Sequence, residues 1–542
     1  MVQDGGSFAS YTPGSDATVI SVTAQGVKPN DPSAASANTS KIGSLISGAK
    51  ANTVIDFPKG TYYITTGFSL SGKTKLCLRG NGSTLIATSY APTPPTGNRF
   101  TDYRNRNNSL LFQLSNCSGV TIEGFTLDFQ SHTACDGKII AVSGSTTTFR
   151  AYSEFLSGDK KTPVAGGELV ASASLFDANG NLLDGEAYLS TDTSNIKTLT
   201  KVSSDTFSIP VKLGAVGQHI SVRLAAGATN SPMFYGTGNQ NMTFRNLTVR
   251  SNPSAVFYIP SSNRDFCFDG ITVSPAADSR QLFGSNEDVI HVKGMRGKLV
   301  VKNCTFTGLG DDALNVHARV STITAVSGAT VTGYDKFDNK SLDSTWAAKG
   351  DTIAFYNSGY VLLGTGTVTS FSSGKVTVDT LPAGVSTSCF MINLTNHPEV
   401  WVSNCTVERG RARGFLIQTP NAVIQNCTFS NLRLPAILVS PDFDQWYEGG
   451  FTANLLIRGC TFQNCMRASG LSSFGAITIN ECSEYKKLMS STARGHGDIV
   501  IIGNTFTNGN SYGIYAHSVR KLQMASNTVS GGKGLSRTVA CN

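Results

Sequence analysis

The sequence predicts an all-β protein whose chain winds as a right-handed parallel β-helix, a solenoid of stacked coils. The composition is the first observation: 55 glycines and 15% charged residues in a chain of 542 suit many short strands separated by turns. The second observation is a short phrase that recurs along the chain. The third is the regular spacing of its copies, so helices should be few.

The recurring phrase is apolar-x-apolar-x-Asn/Gly-x-Thr-apolar, which describes a strand, a bend and the start of another strand. Its clearest copies are VVKNCTF (300–306), WVSNCTV (401–407), VIQNCTF (423–429), LIRGCTF (456–462) and VIIGNTF (500–506). From Thr406 to Thr428 is 22 residues, and from Thr272 to Thr305 is 33. Such spacing fits one coil of a solenoid, sometimes with a longer loop, and coils stack at about 4.8 Å.

The polar and cysteine positions of the phrase have structural explanations. An Asn at a bend can adopt the left-handed conformation and hydrogen-bond to the coil above, so the Asn-x-Thr matches predict ladders of turns rather than glycosylation sites. The twelve cysteines include no paired C-x-x-C metal knuckle. The cysteines that occupy the same position of the phrase are expected to be small buried residues; they are Cys304, Cys405, Cys427 and Cys460. Cys460 and Cys465 could form a disulfide.

The phrase also suggests where the chain departs from the solenoid. Residues 137–232 and 318–392 lack it and show alternating strands with Gly and Ser turns, which predicts two small inserted antiparallel β-barrels. The remaining segments are then an N-terminal cap with the first coils (1–136), coils with an acid cluster (233–317) and C-terminal coils (393–542). Ser40 to Ala51 has apolar residues at helical spacing and should be a capping helix.

Charge and hydropathy limit the partners. The formal charge of +8 comes from scattered Lys and Arg, which indicates a solvated surface and no nucleic-acid site. No apolar run approaches the roughly 20 residues of a membrane span, so no transmembrane segment is expected. The composition favours a secreted, periplasmic or cell-surface protein whose signal peptide has been removed.

Two neighbouring coils carry matching acidic phrases, NEDVIHVK (286–293) and GDDALNVH (310–317). Their offset of 24 residues places Asp288 opposite Asp312 on adjacent coils. Side chains alternate between the two faces of a strand, and Asp311 is an odd number of residues from Asp312. It should therefore point to the outer face with Asn315 and His317. Ionising all of these neighbouring carboxyl groups costs free energy, because like charges repel. At least one should therefore have a raised pKa and serve as an acid. The non-catalytic alternative is that these acids cap a bend or bind calcium.

Later coils carry further candidates. Arg411 and Arg413, in ERGRARGF, alternate with small residues and could donate hydrogen bonds to sugar hydroxyls or hold the carboxylates; a charged edge is the other interpretation. Trp446 and Glu448 lie in the aromatic and acidic loop DFDQWYEG (442–449). An aromatic face stacks on the apolar face of a sugar, and a carboxylate binds vicinal hydroxyls. Alternatively, Trp446 only packs a loop onto the core.

The two acidic phrases at this spacing, followed by an inserted barrel, resemble glycoside hydrolase family 110. Members of that family are bacterial exo-acting α-1,3-galactosidases that remove the terminal galactose of blood group B and related glycans. The resemblance implies an inverting reaction with Asp311 as general acid and with Asp288 and Asp312 holding and deprotonating the attacking water. Inversion would place acid and base about 6.5–9.5 Å apart.

The remaining site expectations complete this hypothesis. The substrate-binding candidates are Glu287, Asn315, His317, Arg411, Arg413, Trp446 and Glu448. No metal and no cofactor is expected. The expected partner is a neutral α-galactosyl oligosaccharide or glycoconjugate, bound by a monomer or homodimer.

Three other functions compete with the galactosidase. Polygalacturonases are β-helices with similar acids, and Gly495-His496-Gly497 mimics a motif of theirs, but it lies far downstream, so His496 is interpreted as an ordinary loop residue. A polysaccharide lyase would require a basic column where this chain has Asn and His. A non-catalytic glycan-binding β-helix has no obvious use for three clustered carboxylates.

Overall fold

The computed structural model describes residues 7–88, 110–158, 161–188, 197–224, 231–481, 495–507 and 509–542. Its core is a parallel β-helix, as the sequence predicts. A typical coil has two strands in one long parallel sheet, separated by a bend, and a third strand in a second parallel sheet. The fully buried side chains of these strands form one continuous apolar core.

The strands of the long parallel sheet are Thr18–Ser21, Thr53–Asp56, Thr61–Ile64, Thr74–Ala87, Ser118–Phe129, Gln240–Arg245, Thr248–Val249, Arg264–Asp269, Thr272–Val273, Arg296–Lys302, Thr305–Leu309, Glu399–Ser403, Thr406–Gly410, Asn421–Gln425, Thr428–Ser430, Asn454–Arg458, Thr461–Gln463, His496–Ile502, Thr505–Thr507, Val519–Ala525 and Thr528–Ser530. Those of the second parallel sheet are Phe68–Ser71, Phe112–Ser115, Phe234–Thr237, Phe257–Pro260, Ile290–Lys293, Leu314–Ser327, Phe415–Ile417, Ile437–Val439, Gly475–Ile479, Tyr512–His517 and Ser536–Val539.

The recurring phrase sets the register of the coils. Its threonines are direct partners on successive coils, in the order Thr126, Thr248, Thr272, Thr305, Thr406, Thr428, Thr461, Thr505 and Thr528. Two residues before each threonine the backbone is left-handed, as at Asn303 (φ 55°) and Asn404 (φ 54°). Asn and Gly tolerate this conformation, which explains why one or the other occupies the bend in every coil but the last, where Ser526 stands.

The first insertion is an antiparallel sheet of seven strands, in the spatial order Leu182–Tyr188, Val170–Phe176, His219–Leu224, Ala134–Ser143, Thr146–Ala151, Thr206–Ile209 and Thr200–Lys201. Backbone hydrogen bonds then join its two sides, from Gly167 N to Leu199 O (2.6 Å) and from Val170 N to Lys197 O (3.0 Å). Six of the strands therefore enclose a small core of their own.

The second insertion is a closed six-stranded antiparallel barrel. Its strands are the distal part of Leu314–Ser327, then Thr330–Asp335, Thr352–Tyr356, Leu362–Ser372, Lys375–Val378 and Phe390–Asn393, with the short strand Lys340–Ser341 beside them. Its first strand begins in the β-helix, so the barrel is fixed rigidly to the coil that carries the second acidic phrase. Glu448–Gly449 pairs with the same strand at Ala318 and Arg319.

The capping helix is present, but it spans Ala35–Gly48 and begins five residues before the predicted start. A 3₁₀ turn, Pro32–Ala34, is capped by the Asp31 side chain and leads directly into the helix. Ile42 and Ile46 are fully buried against the first coils. Other 3₁₀ turns are Ser153–Phe155 and Leu394–Asn396. No helix in the described ranges is long and apolar enough to cross a bilayer.

The suggested disulfide between Cys460 and Cys465 is wrong. Both cysteines are buried free thiols. Cys460 lies in the inward column at the bend, where its sulfur is 3.5 Å from the backbone nitrogen of Cys427 on the preceding coil. Cys465 lies beyond the following strand, Thr461–Gln463. The column position therefore directs Cys460 to its neighbouring coil.

Replacing Phe429 by Ala should lower the free energy of unfolding by about 3–5 kcal/mol, since it leaves a cavity in a close-packed ladder. Phe429 is fully buried, and its ring stacks on Phe462 at 5.1 Å between centroids. Chemical denaturation followed by circular dichroism measures the change. The control is Val202→Ala, because Val202 is 59% exposed. Equal stability of the two variants would contradict the role of the ladder.

Candidate active site

A cavity of about 280 Å³ opens on the outer face of the second parallel sheet, where the chain leaves the β-helix for the second insertion. All ten residues that the sequence analysis singles out for the site line it: Glu287, Asp288, Asp311, Asp312, Asn315, His317, Arg411, Arg413, Trp446 and Glu448. The other lining residues are Tyr258, His291, Lys293, Phe337, Ala412, Leu434 and Gln445. Residues from seven separate stretches of the chain thus converge on one pocket.

Strand register positions the floor of this pocket. His291 is the direct partner of Asn315, and Lys293 is the partner of His317, as the alignment of the two acidic phrases predicts. Tyr258, one coil earlier, is the partner of His291. The alternate residues, such as Val292 and Val316, point into the core and are fully buried. The period of two in a strand therefore places a polar column outside and an apolar column inside.

The three aspartates lie at one end of the polar column. The backbone nitrogen of Val289 donates to Asp312 O (2.9 Å), and the backbone nitrogen of Asp312 donates to Asp288 Oδ1 (3.0 Å). The predicted stacking of Asp288 on Asp312 is therefore present. One carboxyl oxygen from each of Asp288, Asp311 and Asp312 lies within 4.8 Å of the others. This is closer than the separation expected for acid and base, because all three side chains converge on one cavity.

The three carboxyl groups differ in exposure. The side chain of Asp311 is 30% exposed, that of Asp288 is 12% exposed and that of Asp312 is 1% exposed. The strand parity predicts Asp311 across the bend from the other two, but all three line one cavity, because Asp311 and Asp312 precede the strand Leu314–Ser327. Asp311 is the most accessible of the three. It is consequently the carboxyl group that a substrate oxygen can reach most easily.

Two arginines from the next coil hold two of these acids. Arg411 Nη2 donates to Asp311 Oδ2 (2.7 Å), and Arg411 Nε donates to the backbone oxygen of Gly310. Arg413 donates to Asp312 through its backbone nitrogen (2.9 Å), through Nε (3.1 Å) and through Nη2 (2.6 Å). Of the two interpretations offered by the sequence, the structure places these arginines on the carboxylates.

Burial and charge set the protonation of Asp312. Burial, opposed by Arg413 and reinforced by the nearby carboxylates of Asp311 and Asp288, raises the pKa of Asp312 to about 7. Near neutral pH the cluster therefore holds a proton, as expected for carboxylates that share a small volume.

The loop from Asp442 forms one side of the pocket. Glu448 lies in a strand pair with Arg319. Its Oε2 accepts a hydrogen bond from Asn315 Nδ2 (3.3 Å), and its Oε1 lies 3.5 Å from His317 Nε2. Burial raises the pKa of Glu448 to about 7. Trp446 is partly exposed in the cavity wall, and its ring centroid is 6.1 Å from that of Phe337 on the second insertion.

Glu287 and the first insertion support the acid cluster from the other side. Ser254 Oγ donates to Glu287 Oε2 (2.9 Å). Arg223, at the end of the first insertion, is buried and donates through Nη1 to the backbone oxygens of Asn286 (3.2 Å) and Gly310 (3.0 Å). These oxygens belong to the first residues of the two acidic phrases. The insertion therefore ties together the loops that carry all three aspartates.

Four aromatic or charged side chains that were not predicted from the sequence also line the pocket. His291 and Lys293 stand on the polar column, and their parity with Asn315 and His317 could have identified them. Tyr258 belongs to the preceding coil, 33 residues before His291. Phe337 comes from the second insertion, and no repeat in the sequence marks it. Its ring lies 4.8 Å from Lys293 Nζ, which also donates to Asp338 Oδ1 (3.2 Å).

His496 is not a loop residue, so that part of the interpretation is wrong. It begins the strand His496–Ile502 and is fully buried. Its Nε2 lies 2.8 Å from the backbone oxygen of Asn480. Burial lowers its pKa to about 4, and it does not line the cavity. Its role is to fill a bend between coils.

Two groups of side chains in the pocket have donor atoms close enough to share a cation: the three aspartates, and His291 with His317 and Glu448. A hydrogen bond joins the two histidines, and the three aspartates are already held by Arg411, Arg413 and His291. The His291 and His317 Nε2 atoms are 3.0 Å apart, whereas ligands at about 2.0–2.1 Å from a tetrahedral zinc would lie farther apart. Neither group is assigned as a metal site.

Comparison with known proteins supports both the fold and the resemblance. A family described as "Right handed beta helix region" matches residues 383–485. An α-1,3-galactosidase A of Bacteroides fragilis strain YCH46 is 24% identical over 86% of this chain and 75% of its own length. Another strain's α-1,3-galactosidase A is 29% identical over 48% of this chain, and α-1,3-galactosidase B of Bacteroides thetaiotaomicron is 28% identical over 49%.

The last two alignments each span 44% of the relative, so the chain matches less than half of their length. Among solved structures, the A-module of the Azotobacter vinelandii mannuronan C-5 epimerase AlgE4 covers 95% of this chain and 97% of its own, with 11% identity and a TM-score of 0.44. The curated relatives confirm the resemblance carried by the two acidic phrases.

Removing the cation beside Asp312 should destabilise the protein in a pH-dependent way. The pKa of Asp312 is raised in the folded protein. The free energy of unfolding therefore falls as the pH rises from about 4 through about 7, because ionising this buried carboxyl is unfavourable in the fold. In Arg413→Gln the penalty grows and extends to higher pH, reaching about 3 kcal/mol near pH 8 and less near pH 5. Unfolding curves at both pH values measure it. Arg520→Gln, which removes an exposed ion pair, is the control; an equal loss at both pH values would contradict the assignment.

Proposed function

We propose that this chain is an exo-acting glycoside hydrolase that removes terminal α-1,3-linked galactose from blood group B-type or linear α-galactosyl glycans. The observation that carries the proposal is the cluster of three carboxyl groups at one end of an aromatic-walled pocket, with one oxygen of each within 4.8 Å of the others. Relatives named α-1,3-galactosidases support the choice of galactose and of its linkage.

Asp311 is proposed as the general acid. Its side chain is the most exposed of the three, so it can reach the oxygen that links galactose to the rest of the glycan. Asp288 and Asp312 are proposed to hold the attacking water. Two hydrogen bonds of about 2.8 Å can bridge carboxyl oxygens up to 4.8 Å apart. The raised pKa of Asp312 supports a cluster that keeps one proton near neutral pH.

The reaction is proposed to invert the anomeric centre. Asp288 accepts a hydrogen bond from the backbone of Asp312, and Asp312 is held by Arg413, an arrangement suited to orienting a water rather than to forming a bond with carbon. The water then attacks the face opposite the leaving oxygen, its proton passes to the base, and Asp311 protonates the leaving oxygen. The carboxyl oxygens lie within 4.8 Å of one another, closer than the roughly 6.5–9.5 Å between acid and base in most inverting enzymes.

The pocket wall supports a neutral sugar as the ligand. Trp446 offers an aromatic face for the apolar side of galactose, and Glu448 and Asn315 offer an acceptor and a donor for its hydroxyls. The cationic groups are already engaged: Arg411 with Asp311, Arg413 with Asp312, and Lys293 with Asp338. A uronate polymer would have to compete with these carboxylates, which argues against a lyase or a polygalacturonase.

The same reasoning extends to location and assembly. A glycan substrate on cell surfaces or secreted glycoproteins favours an enzyme that acts outside the cytoplasm, and we propose a secreted or periplasmic location. A monomer or homodimer stays our prediction for the assembly. Size-exclusion chromatography with light scattering measures the assembly directly.

Asp288→Asn, Asp311→Asn and Asp312→Asn should each fold yet lose at least about a hundredfold in turnover, because groups that transfer protons contribute roughly 10²–10⁴ in rate. An aryl α-galactoside and a blood group B oligosaccharide are the substrates, with free galactose as the readout. The matched control, Asp498→Asn at an exposed ion pair, should keep full activity. Near-normal turnover in any of the three would remove that residue from the mechanism.

The galactose first released from an α-linked substrate should be the β-anomer, because water replaces the leaving oxygen in a single inverting displacement. Proton NMR in the first minutes, before mutarotation, distinguishes the anomers. A first-formed α-anomer would show retention, and the roles given to the three aspartates would then be wrong.

A further inference from the structure

Each aspartate of the cluster has its own nitrogen donor, but the three donors differ in kind. Asp311 is held by Arg411 and Asp312 by Arg413. Asp288 Oδ2 instead lies 2.6 Å from His291 Nδ1. Arginine keeps its charge at every accessible pH, whereas histidine titrates near neutrality. The protonation of His291 therefore decides whether this contact of Asp288 is with a cation or with a neutral ring.

A second histidine restricts the protonation of His291. His317 Nδ1 lies 2.9 Å from the backbone oxygen of Ala318. A carbonyl oxygen can only accept, so His317 Nδ1 carries the hydrogen. Burial and the neighbouring cationic groups lower the pKa of His317 well below its usual range, so its ring is neutral and its Nε2 is a bare acceptor.

The contact between the two rings then requires a proton on His291. His291 Nε2 and His317 Nε2 are 3.0 Å apart, a hydrogen-bond distance, and one of them must donate. Because His317 Nε2 accepts, His291 Nε2 donates. The other nitrogen of His291 faces the carboxylate of Asp288 at 2.6 Å, and that contact requires a second proton.

The surroundings of His291 favour that second proton on the ring. Asp288, Glu448 and, farther along the cluster, Asp311 and Asp312 are acidic. The Tyr258 ring packs on His291 from the preceding coil at 5.1 Å. The opposing cations are Lys293, which is paired with Asp338, and Arg411 and Arg413, which are paired with their own aspartates; His317 and His397 complete the titratable neighbours. An imidazolium at His291 balances the charge of the Asp288 carboxylate 2.6 Å away.

We propose that His291 is a positioning residue for the base: a doubly protonated imidazolium, kept so by the acceptor nitrogen of His317, that holds Asp288 ionised and oriented toward the attacking water. Its catalytic consequence rests on the proposed hydrolase function. In the reaction the proton of water passes to the Asp288–Asp312 pair, the Nδ1 hydrogen remains on His291, and Asp311 gives its proton to the leaving oxygen. One water is consumed for each bond cleaved.

The arrangement of protons can be measured without any substrate. The chain has seven histidines, so ¹⁵N-histidine labelling gives a spectrum that single His→Gln variants can assign. Near neutral pH we expect both nitrogens of His291 to be protonated and only Nδ1 of His317. A bare nitrogen on His291 would overturn the proposal. So would resonances of His291 and His317 that change on chelation, since a metal ion would then occupy the contact between the rings.

Kinetics tests the positioning role separately. In His291→Gln a neutral donor replaces the cation, so Asp288 should take up a proton more readily, and the acidic limb of the kcat/KM profile should move up by about one pH unit or more. We expect kcat to fall about tenfold or more with KM within about twofold. His219→Gln, in the first insertion and outside the pocket, is the control.

An unshifted acidic limb in His291→Gln would overturn the positioning role, even if kcat falls, because a merely structural defect lowers the rate without moving the limb. A wild-type protein that has the imidazolium but cleaves no α-galactoside would overturn the proposed function while leaving the proton assignment intact. The two failures are therefore distinguishable.

Discussion

The in-register stacking of adjacent coils is the constraint on which the rest of this structure depends. Parallel strands repeat at about 4.8 Å, and each coil places its threonine directly over that of the coil before. Because a side chain on one coil stands directly over its partner on the next, two acidic phrases one coil apart must meet. Asp288 and Asp312 are brought together by this register, and so are His291 with Asn315 and Lys293 with His317.

The insertions turn that column into a pocket. The strand that carries Asn315 and His317 continues into the second barrel, so Phe337 and the strand pair of Glu448 have fixed positions relative to the acids. The first insertion contributes Arg223, which binds the backbone on both acidic loops. The following coil contributes Arg411 and Arg413. The site is therefore assembled from elements distant in sequence.

The sequence predicts the features that are set by the period of the coil. It predicts few of the features that depend on the insertions or on side-chain conformation. The threonine column, the left-handed Asn and Gly bends and the meeting of Asp288 with Asp312 all follow from the period of the coil. The contact of Phe337 with the pocket depends on how a barrel hairpin folds back, which has no repeat. The helix starts early because the Asp31-capped turn runs into it. The short spacing of the carboxyl groups depends on side-chain conformations that the coil period does not determine.

The interpretations of His496 and Cys460 failed for a related reason. Both interpretations consider only the local sequence, Gly495-His496-Gly497 in one case and the close pair of cysteines in the other. In the structure the stacking of coils decides their environment: His496 fills a buried bend, and Cys460 lies beside Cys427 of the coil before. In a solenoid, the column to which a residue belongs is more informative than its neighbours in sequence.

The central claim is that the pocket uses water to cleave a terminal α-galactosyl bond. The most direct measurement is mass spectrometry of the products of an α-1,3-galactosyl disaccharide cleaved in heavy-oxygen water. The account predicts free galactose that carries one heavy oxygen at its anomeric carbon and an acceptor sugar that carries none. Heavy oxygen in the acceptor sugar, an unsaturated product, or an uncleaved disaccharide would contradict it.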